Sequence, residues 1–156
     1  MKDVAIEVQI PPIWATVREI RCKLNAELAS FPNRVRYATA MVASELLENA
    51  IKYGESCRSF ERIAFSMVIR AGVCRITVKN RSNSQENVTR LREKIAEVNA
   101  ADDKAELYTR RLQELLERPS GHSGLGIYRI GFEGGFELAC ETDEGIVTVF
   151  ATRRVQ

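Results

Sequence analysis

Apolar and polar positions along this chain alternate in short runs, and helical spacing takes over between them. "VAIEVQI" (Val4–Ile10) alternates with β-branched enrichment and predicts a strand. Pro11 and Pro12 then suit the first turn of a helix expected over Ile13–Ala29, because a missing N–H costs nothing there. A second helix is expected from near Asn33 to Tyr53, with Gly54 as its stop signal. "RIAFSMVIR" (Arg62–Arg70) and "VCRITVKN" (Val73–Asn80) predict two strands joined by a short Ala71-Gly72 turn. Val88, Leu91, Ile95 and Val98 then make a helical stripe, and Asp103 with Glu106 forms a capping box for a helix ending near Arg118. Pro119, Ser120 and Gly121 break that helix. A glycine loop and a short helix follow, and "FELACET" with "IVTVFATRRV" closes the chain as a hairpin over Asp143, Glu144 and Gly145.

The expected order is β-α-α-β-β-α-α-α-β-β. Strands arrive as hairpins and helices in pairs. That favours an α+β two-layer sandwich, with a mixed, mostly antiparallel sheet covered on one face by helices. A doubly wound parallel sheet would alternate single strands and helices. Without repeats, low-complexity tracts or linkers, residues 1–156 read as one domain, with a helical lid or insert at about 84–118.

Composition narrows this only slightly. The chain has 156 residues, 45% of them hydrophobic and 28% charged, enough for a full core in a domain of ~100–200 residues. A net charge of +2 argues for neither nucleic acid nor a membrane surface. No apolar run approaches the ~20 residues that span a bilayer, and the N-terminus does not resemble a signal peptide. Cys22, Cys57, Cys74 and Cys140 are scattered without a CxxC pair, so reduced, mostly buried thiols in a cytoplasmic protein are expected. His122 is the single histidine and leaves little room for histidine-based metal or triad chemistry.

Candidate chemistry sits first in "SELLENAIKYG" (Ser44–Gly54). Val42, Leu46, Ala50 and Tyr53 fall on one side of this helix, while Glu45, Asn49 and Lys52 line a neighbouring ridge at i, i+4 and i+7. Taken alone, such a ridge is most simply a solvated boundary, with a Glu48–Lys52 pair adding ~0.2–0.5 kcal/mol. Asn49 argues for more, because asparagine is a poor helix-interior residue. An asparagine oxygen and a carboxylate suit Mg²⁺, a carboxylate can accept a proton, and a lysine can reach a phosphate. The second stretch, "SGHSGLGIYRI" (Ser120–Ile130), places Gly121, Gly124 and Gly126 before a helix, where backbone N–H groups can hold an anion. It is neither a Walker loop nor a Rossmann fingerprint. His122 within it reads as a solvent-facing loop residue.

Together the two stretches resemble the histidine-kinase-like ATPase (GHKL) superfamily with its Bergerat nucleotide fold. "ELLENAIKYG" is similar to that family's N box, E-L-x-x-N-A-x-K-Y/H-G, and "GHSGLGIYRI" to its second glycine box, G-x-G-L-G followed by a helix. The short form with a leading strand looks most like the anti-sigma-factor serine kinases and related small bacterial switch kinases. No phosphoacceptor helix hairpin precedes the domain, which disfavours a sensor histidine kinase. "DKAELYTRRLQELLERPSGHSGLGI" resembles a branch of the switch kinases.

The resemblance implies ATP and Mg²⁺ as cofactors. By it, Glu45 would be the base, Asn49 the Mg²⁺ ligand, and Lys52 a phosphate or ribose contact. Gly121, Gly124, Leu125 and Gly126 would cradle the phosphates. The implied activity is phosphorylation of a STAS-like anti-sigma antagonist on serine or threonine in a partner-switching pathway, with a sigma factor as a further partner and a homodimer compatible. Two departures touch base recognition. Where the family has D-x-G-x-G, whose acid reads the adenine amino group, this chain has Asn80-Arg81-Ser82-Asn83-Ser84. Asn80 can offer one acceptor oxygen without the charge. After the turn glycine, where threonine is usual, Ile146 and Val147 stand before Thr148. Those departures keep two alternatives open: a nucleotide-gated or nucleotide-free anti-sigma/STAS-binding module, and a plain ATPase.

Overall fold

The computed structural model describes residues 2–54, 62–82, 84–119 and 124–155. Strands β1 (Val4–Ile10), β2 (Ile63–Arg70), β3 (Val73–Arg81), β4 (Glu137–Asp143) and β5 (Ile146–Arg154) form one sheet in the order β1-β2-β3-β5-β4. Every neighbouring pair is antiparallel. Ala71 and Gly72 link β2 to β3 with φ of 50° and 76°, the two positive values that a twisted two-residue hairpin turn requires. Glu144 and Gly145 repeat the device between β4 and β5, with φ of 48° and 81°.

Alternation sorts the strands into two faces. Ile6, Phe65, Met67, Ile76, Val78, Leu138 and Val149 are buried on the inner face, while Glu7, Arg75, Lys79 and Glu141 are exposed on the other. Helices α1 (Trp14–Glu27) and α2 (Asn33–Tyr53) cover the inner face as an antiparallel pair. The connection from β3 to β4 supplies α3 (Gln85–Ala100), α4 (Lys104–Glu117), α5 (Gly126–Arg129) and a π-helical turn over Ile130–Gly134. Asp103 caps α4, its Oδ1 accepting from the Glu106 backbone N–H at 3.0 Å.

The expected single stripe on α2 is too narrow. Ala38 through Ser44, then Leu46, Leu47 and Ala50, are buried, so this helix is enclosed on most of its circumference. Small residues (Ala38, Ala40, Ala43 and Ser44) let neighbouring layers approach it, and the Ser44 hydroxyl is satisfied by the Ala40 carbonyl at 2.8 Å. The thiols also differ from expectation. Cys74 is buried and Cys140 half-buried, but Cys22 is exposed, because α1 turns Thr16, Val17, Ile20 and Leu24 inward and Cys22 falls outside that stripe. Cys57 lies outside the described residues. Among the described residues, no helix is long and apolar enough to cross a membrane.

Leu47 is 0% exposed at the centre of this packing. Leu47→Ala is expected to lower the unfolding free energy by about 2–5 kcal/mol, as lost burial plus a cavity. Urea denaturation followed by circular dichroism measures it.

Candidate functional site

The enclosure of α2 gives its polar ridge a definite address. Glu45, Glu48, Asn49 and Lys52 all line one cavity of about 1100 Å³. Val78 and Asn80 from β3, Ser82 just after it, and Val147 and Val149 from β5 form its strand wall. Val88, Leu91 and Lys94 from α3 face them with Gly124, Leu125 and Gly126. The two stretches singled out in the sequence therefore meet across one cavity. Gly121 and His122 lie outside the described residues.

Glu45 is the most constrained group of the ridge. Its side chain is 19% exposed, and its Oε1 accepts from Arg129 Nη1 at 3.2 Å. A Cβ on Gly126 would stand 2.4 Å from the other carboxylate oxygen, Oε2, so any side chain there would displace the carboxylate from its present position. Burial pushes the Glu45 carboxyl above its ordinary value, and Glu48 adds to this. Arg129 and then Arg21 pull in the opposite direction without cancelling it.

Gly124 has a similar geometric reason. Its φ is +63°, and a Cβ there would stand 2.9 Å from Lys94 Nζ, which donates to the Gly124 carbonyl at 3.4 Å. Lys94 is held below its ordinary pKa, first by burial and then by the charges of Lys52, Arg90 and Arg111. Lys94 thus contacts the glycine loop with three further cations around it, of which Arg90 is paired with Glu86 and Arg111 with Glu97 and Glu114. The surplus of positive charge at Lys94 favours an anion there. Lys94 did not emerge from the sequence reading. Its signal was the spacing of Asn87, Leu91 and Lys94, which puts a lysine on the cavity-facing side of the apolar stripe.

The helical segment is fastened to the loop by a second cluster. Glu97 of α3 pairs with Arg111 Nη2 of α4 and accepts from the Tyr128 hydroxyl of α5 at 2.7 Å. Arg111 also reaches Glu114 at 2.7 Å. Burial and then the Glu97 bond push the Tyr128 hydroxyl up to about 12. Burial would raise Glu97, but hydrogen bonds from Arg111 and Tyr128 outweigh it and hold that carboxyl below its usual range.

The departures at the base end acquire positions. Asn80 lies on the inner face opposite Val147, and its Nδ2 donates to the Arg81 carbonyl at 3.2 Å. Ser82 is committed to the scaffold, its hydroxyl donating to the Tyr53 carbonyl at 3.4 Å. Val147 and Val149 line the cavity, whereas Thr148, by strand alternation, belongs to the other face of the sheet.

The residues present fit a Mg²⁺-bound nucleotide. The cavity is as large as the ~300–1,000 Å³ of ordinary small-molecule sites, and its cations gather where glycines expose backbone. Among the described residues, no three His, Cys, Asp or Glu side chains converge on a metal position. Asn49 therefore suits Mg²⁺ only in the manner usual for nucleotide sites, where one or two protein ligands act with substrate phosphates.

No protein-family model and no curated protein matches the chain. Solved structures do. One chain of the SiaB–SiaC complex from Pseudomonas aeruginosa superposes with a TM-score of 0.72 over 94% of this chain and 88% of that one, at 16% identity. The histidine kinase domain of the Erythrobacter litoralis EL346 blue-light activated histidine kinase superposes with a TM-score of 0.50 at 17% identity. That match covers 94% of this chain and 62% of the kinase chain. The chain has a GHKL-like fold, the α+β sandwich it shares with these structures.

The raised Glu45 carboxyl predicts a pH-dependent stability. A folded pKa above the unfolded one means that protonated Glu45 favours folding below the unfolded value, and this contribution is lost as pH rises through the folded value. Glu45→Gln is therefore expected to melt higher than wild type near neutral pH, with the gap closing in acid. Paired melting curves across pH check this; a constant gap would contradict it.

Proposed function

We propose that this protein is a Mg²⁺-ATP-dependent serine/threonine kinase that phosphorylates a STAS-like partner in a partner-switching pathway of the cytoplasm. The observation that carries the proposal is the meeting of Glu45 and Asn49 with the cations and glycines of the opposite wall around one cavity. A protein partner is supported by the SiaB–SiaC neighbour, which was solved as a complex of two proteins.

Bound Mg²⁺-ATP supplies the γ-phosphoryl group and the electrophilic phosphorus. Asn49 would hold the metal, while Lys94 and Lys52 neutralise phosphate charge, the main demand that phosphoryl transfer makes of a protein. Gly124 and Gly126 would let the backbone approach, with Leu125 between them. Glu45 would take the proton from the partner's hydroxyl as its oxygen bonds to the γ-phosphorus and the β–γ bridging bond breaks. The products are the phosphoserine or phosphothreonine ester and ADP. A buried carboxyl with a raised pKa suits a proton acceptor working near neutrality. The α3–α4 pair is proposed as a lid over the phosphates, fastened to the loop through Glu97, Arg111 and Tyr128.

Asn80 and Thr148 favour a second reading, a STAS-binding module in which nucleotide is only a structural ligand or has no role. Asn80 lacks the acid's charge, and Thr148 faces away from the base end.

Purified protein with Mg²⁺-ATP and STAS proteins encoded nearby is expected to transfer phosphate to serine or threonine, and Glu45→Ala to abolish transfer while still binding nucleotide. Robust transfer by Glu45→Ala would contradict the base role. Mg²⁺-ATP should also raise the melting temperature of the wild type, since a ligand of the folded state stabilises by RT ln(1 + [L]/Kd). Lys94→Gln should weaken that shift. No shift at millimolar nucleotide would favour the nucleotide-free module.

A further inference from the structure

We propose that Arg129 is the positioning residue of Glu45, fixing its carboxylate through Oε1 so that Oε2 stays beside Gly126 at the cavity wall. The inference rests on Glu45 acting as the base, and it adds a residue that neither sequence box singles out. Gly126 and Arg129 stand three residues apart and so share one face of α5. That single face both makes room for the Glu45 carboxylate and grips it. Arg129 is in turn held by Glu133 of the π-helical turn, whose Oε2 accepts from Arg129 Nε at 2.7 Å. The guanidinium is planar, so one edge can serve Glu133 while an Nη1 reaches Glu45. Arg129 does not line the cavity. It grips the carboxylate from outside the cavity and leaves the approach to Glu45 open.

The alternative is an ordinary ion pair that ties α5 to α2. Partly exposed pairs of that kind contribute little to stability. The geometry argues for a more particular role. A carboxylate on α2 with 19% exposure would otherwise have rotamer freedom, and a base misplaced by a fraction of an ångström loses rate. Charge matters as well. The groups facing Glu45 are Glu48 on its own helix, Arg21 on α1 and Arg129 on α5, with Glu133 behind Arg129. Burial and Glu48 disfavour the carboxylate, and Arg129 is the first of the two cations that oppose them. Loss of Arg129 would leave Arg21 alone to oppose them, and Glu45 would hold its proton to higher pH.

Two readouts test this. The first follows the Glu45 side-chain carboxyl by ¹³C NMR titration in wild type, Arg129→Gln and Arg129→Lys. Arg129→Gln is expected to move the midpoint upward and Arg129→Lys to restore most of the shift through charge alone. The second is phosphotransfer against pH. In Arg129→Gln the acid limb should move upward and kcat fall about 10–100-fold, a part of the roughly 10²–10⁴ that a positioned proton acceptor supplies, with KM for ATP little changed. Arg129→Lys should recover the acid limb but only part of kcat, because ammonium lacks the guanidinium fork. An unmoved Glu45 midpoint in Arg129→Gln would overturn the proposal, as would wild-type kcat with a wild-type pH profile. Equal loss of rate in Arg129→Lys and Arg129→Gln, with unmoved titrations and lowered melting temperatures, would assign Arg129 to structure and overturn it too. A Glu45 midpoint that responds to Arg129 in a protein that transfers phosphate to no partner would count against the kinase and for the pairing.

Discussion

Removing a carboxylate from water is costly unless charge and hydrogen bonds replace the lost solvation. The neighbourhood of Glu45 is organised around that constraint. α2 is buried along most of its length, and Glu45 on its ridge keeps only 19% of its side chain exposed. Gly126 leaves space for one oxygen, Arg129 holds the other, and Glu133 holds Arg129. The compensation is incomplete, since Glu45 still retains its proton more strongly than a free glutamate. A scaffold that keeps such a group against its own stability is characteristic of sites shaped for chemistry rather than for folding.

The same logic extends to the opposite wall. Lys94 is held below its ordinary pKa by burial and then by the charges of Lys52, Arg90 and Arg111, although Arg90 is paired with Glu86 and Arg111 with Glu97. Arg111 does double service, contributing charge to the cavity while bonding Glu97, which also receives the Tyr128 hydroxyl. Helices α3 and α4 are thereby fastened to α5, the helix that carries Gly126 and Arg129. A displacement of the helical pair and a displacement of α5 would be felt by each other. The glycine loop sits between these two groups of side chains, with Gly124 against Lys94 and Gly126 against Glu45.

Much of this was legible in the sequence because local signals agreed with the global pattern. Period-2 alternation located the strands, and the Asp103–Glu106 spacing located a helix start that the structure places at Lys104. The two boxes located both walls of the cavity. Other features were hidden for identifiable reasons. The near-complete burial of α2 depends on small residues at Ala38, Ala40 and Ala43, which carry little weight in an apolar stripe but allow close packing. Lys94 and Arg129 did not stand out, because helical spacing alone cannot reveal what lies opposite. The contact between Arg129 and Glu45 joins residues 84 positions apart. Thr148 shows the converse, since its presence near the expected position is undone by strand alternation, which places it on the outer face.

Base recognition is where this chain departs furthest from the pattern it resembles. Asn80 lines the cavity near the end of β3, and it offers an amide where the pattern the chain resembles has a charged carboxylate. The side proposed for the phosphates, by contrast, brings Asn49, Lys94, Gly124 and Gly126 to one cavity. Nucleotide affinity should then come chiefly from phosphate and metal rather than from the base. Isothermal titration calorimetry of the purified chain with a non-hydrolysable ATP analogue tests this most directly, with and without Mg²⁺. Saturable binding that requires Mg²⁺ and is weakened by Asn49→Ala is predicted. Absence of binding at millimolar analogue, with Mg²⁺ present, would contradict a nucleotide site in this cavity.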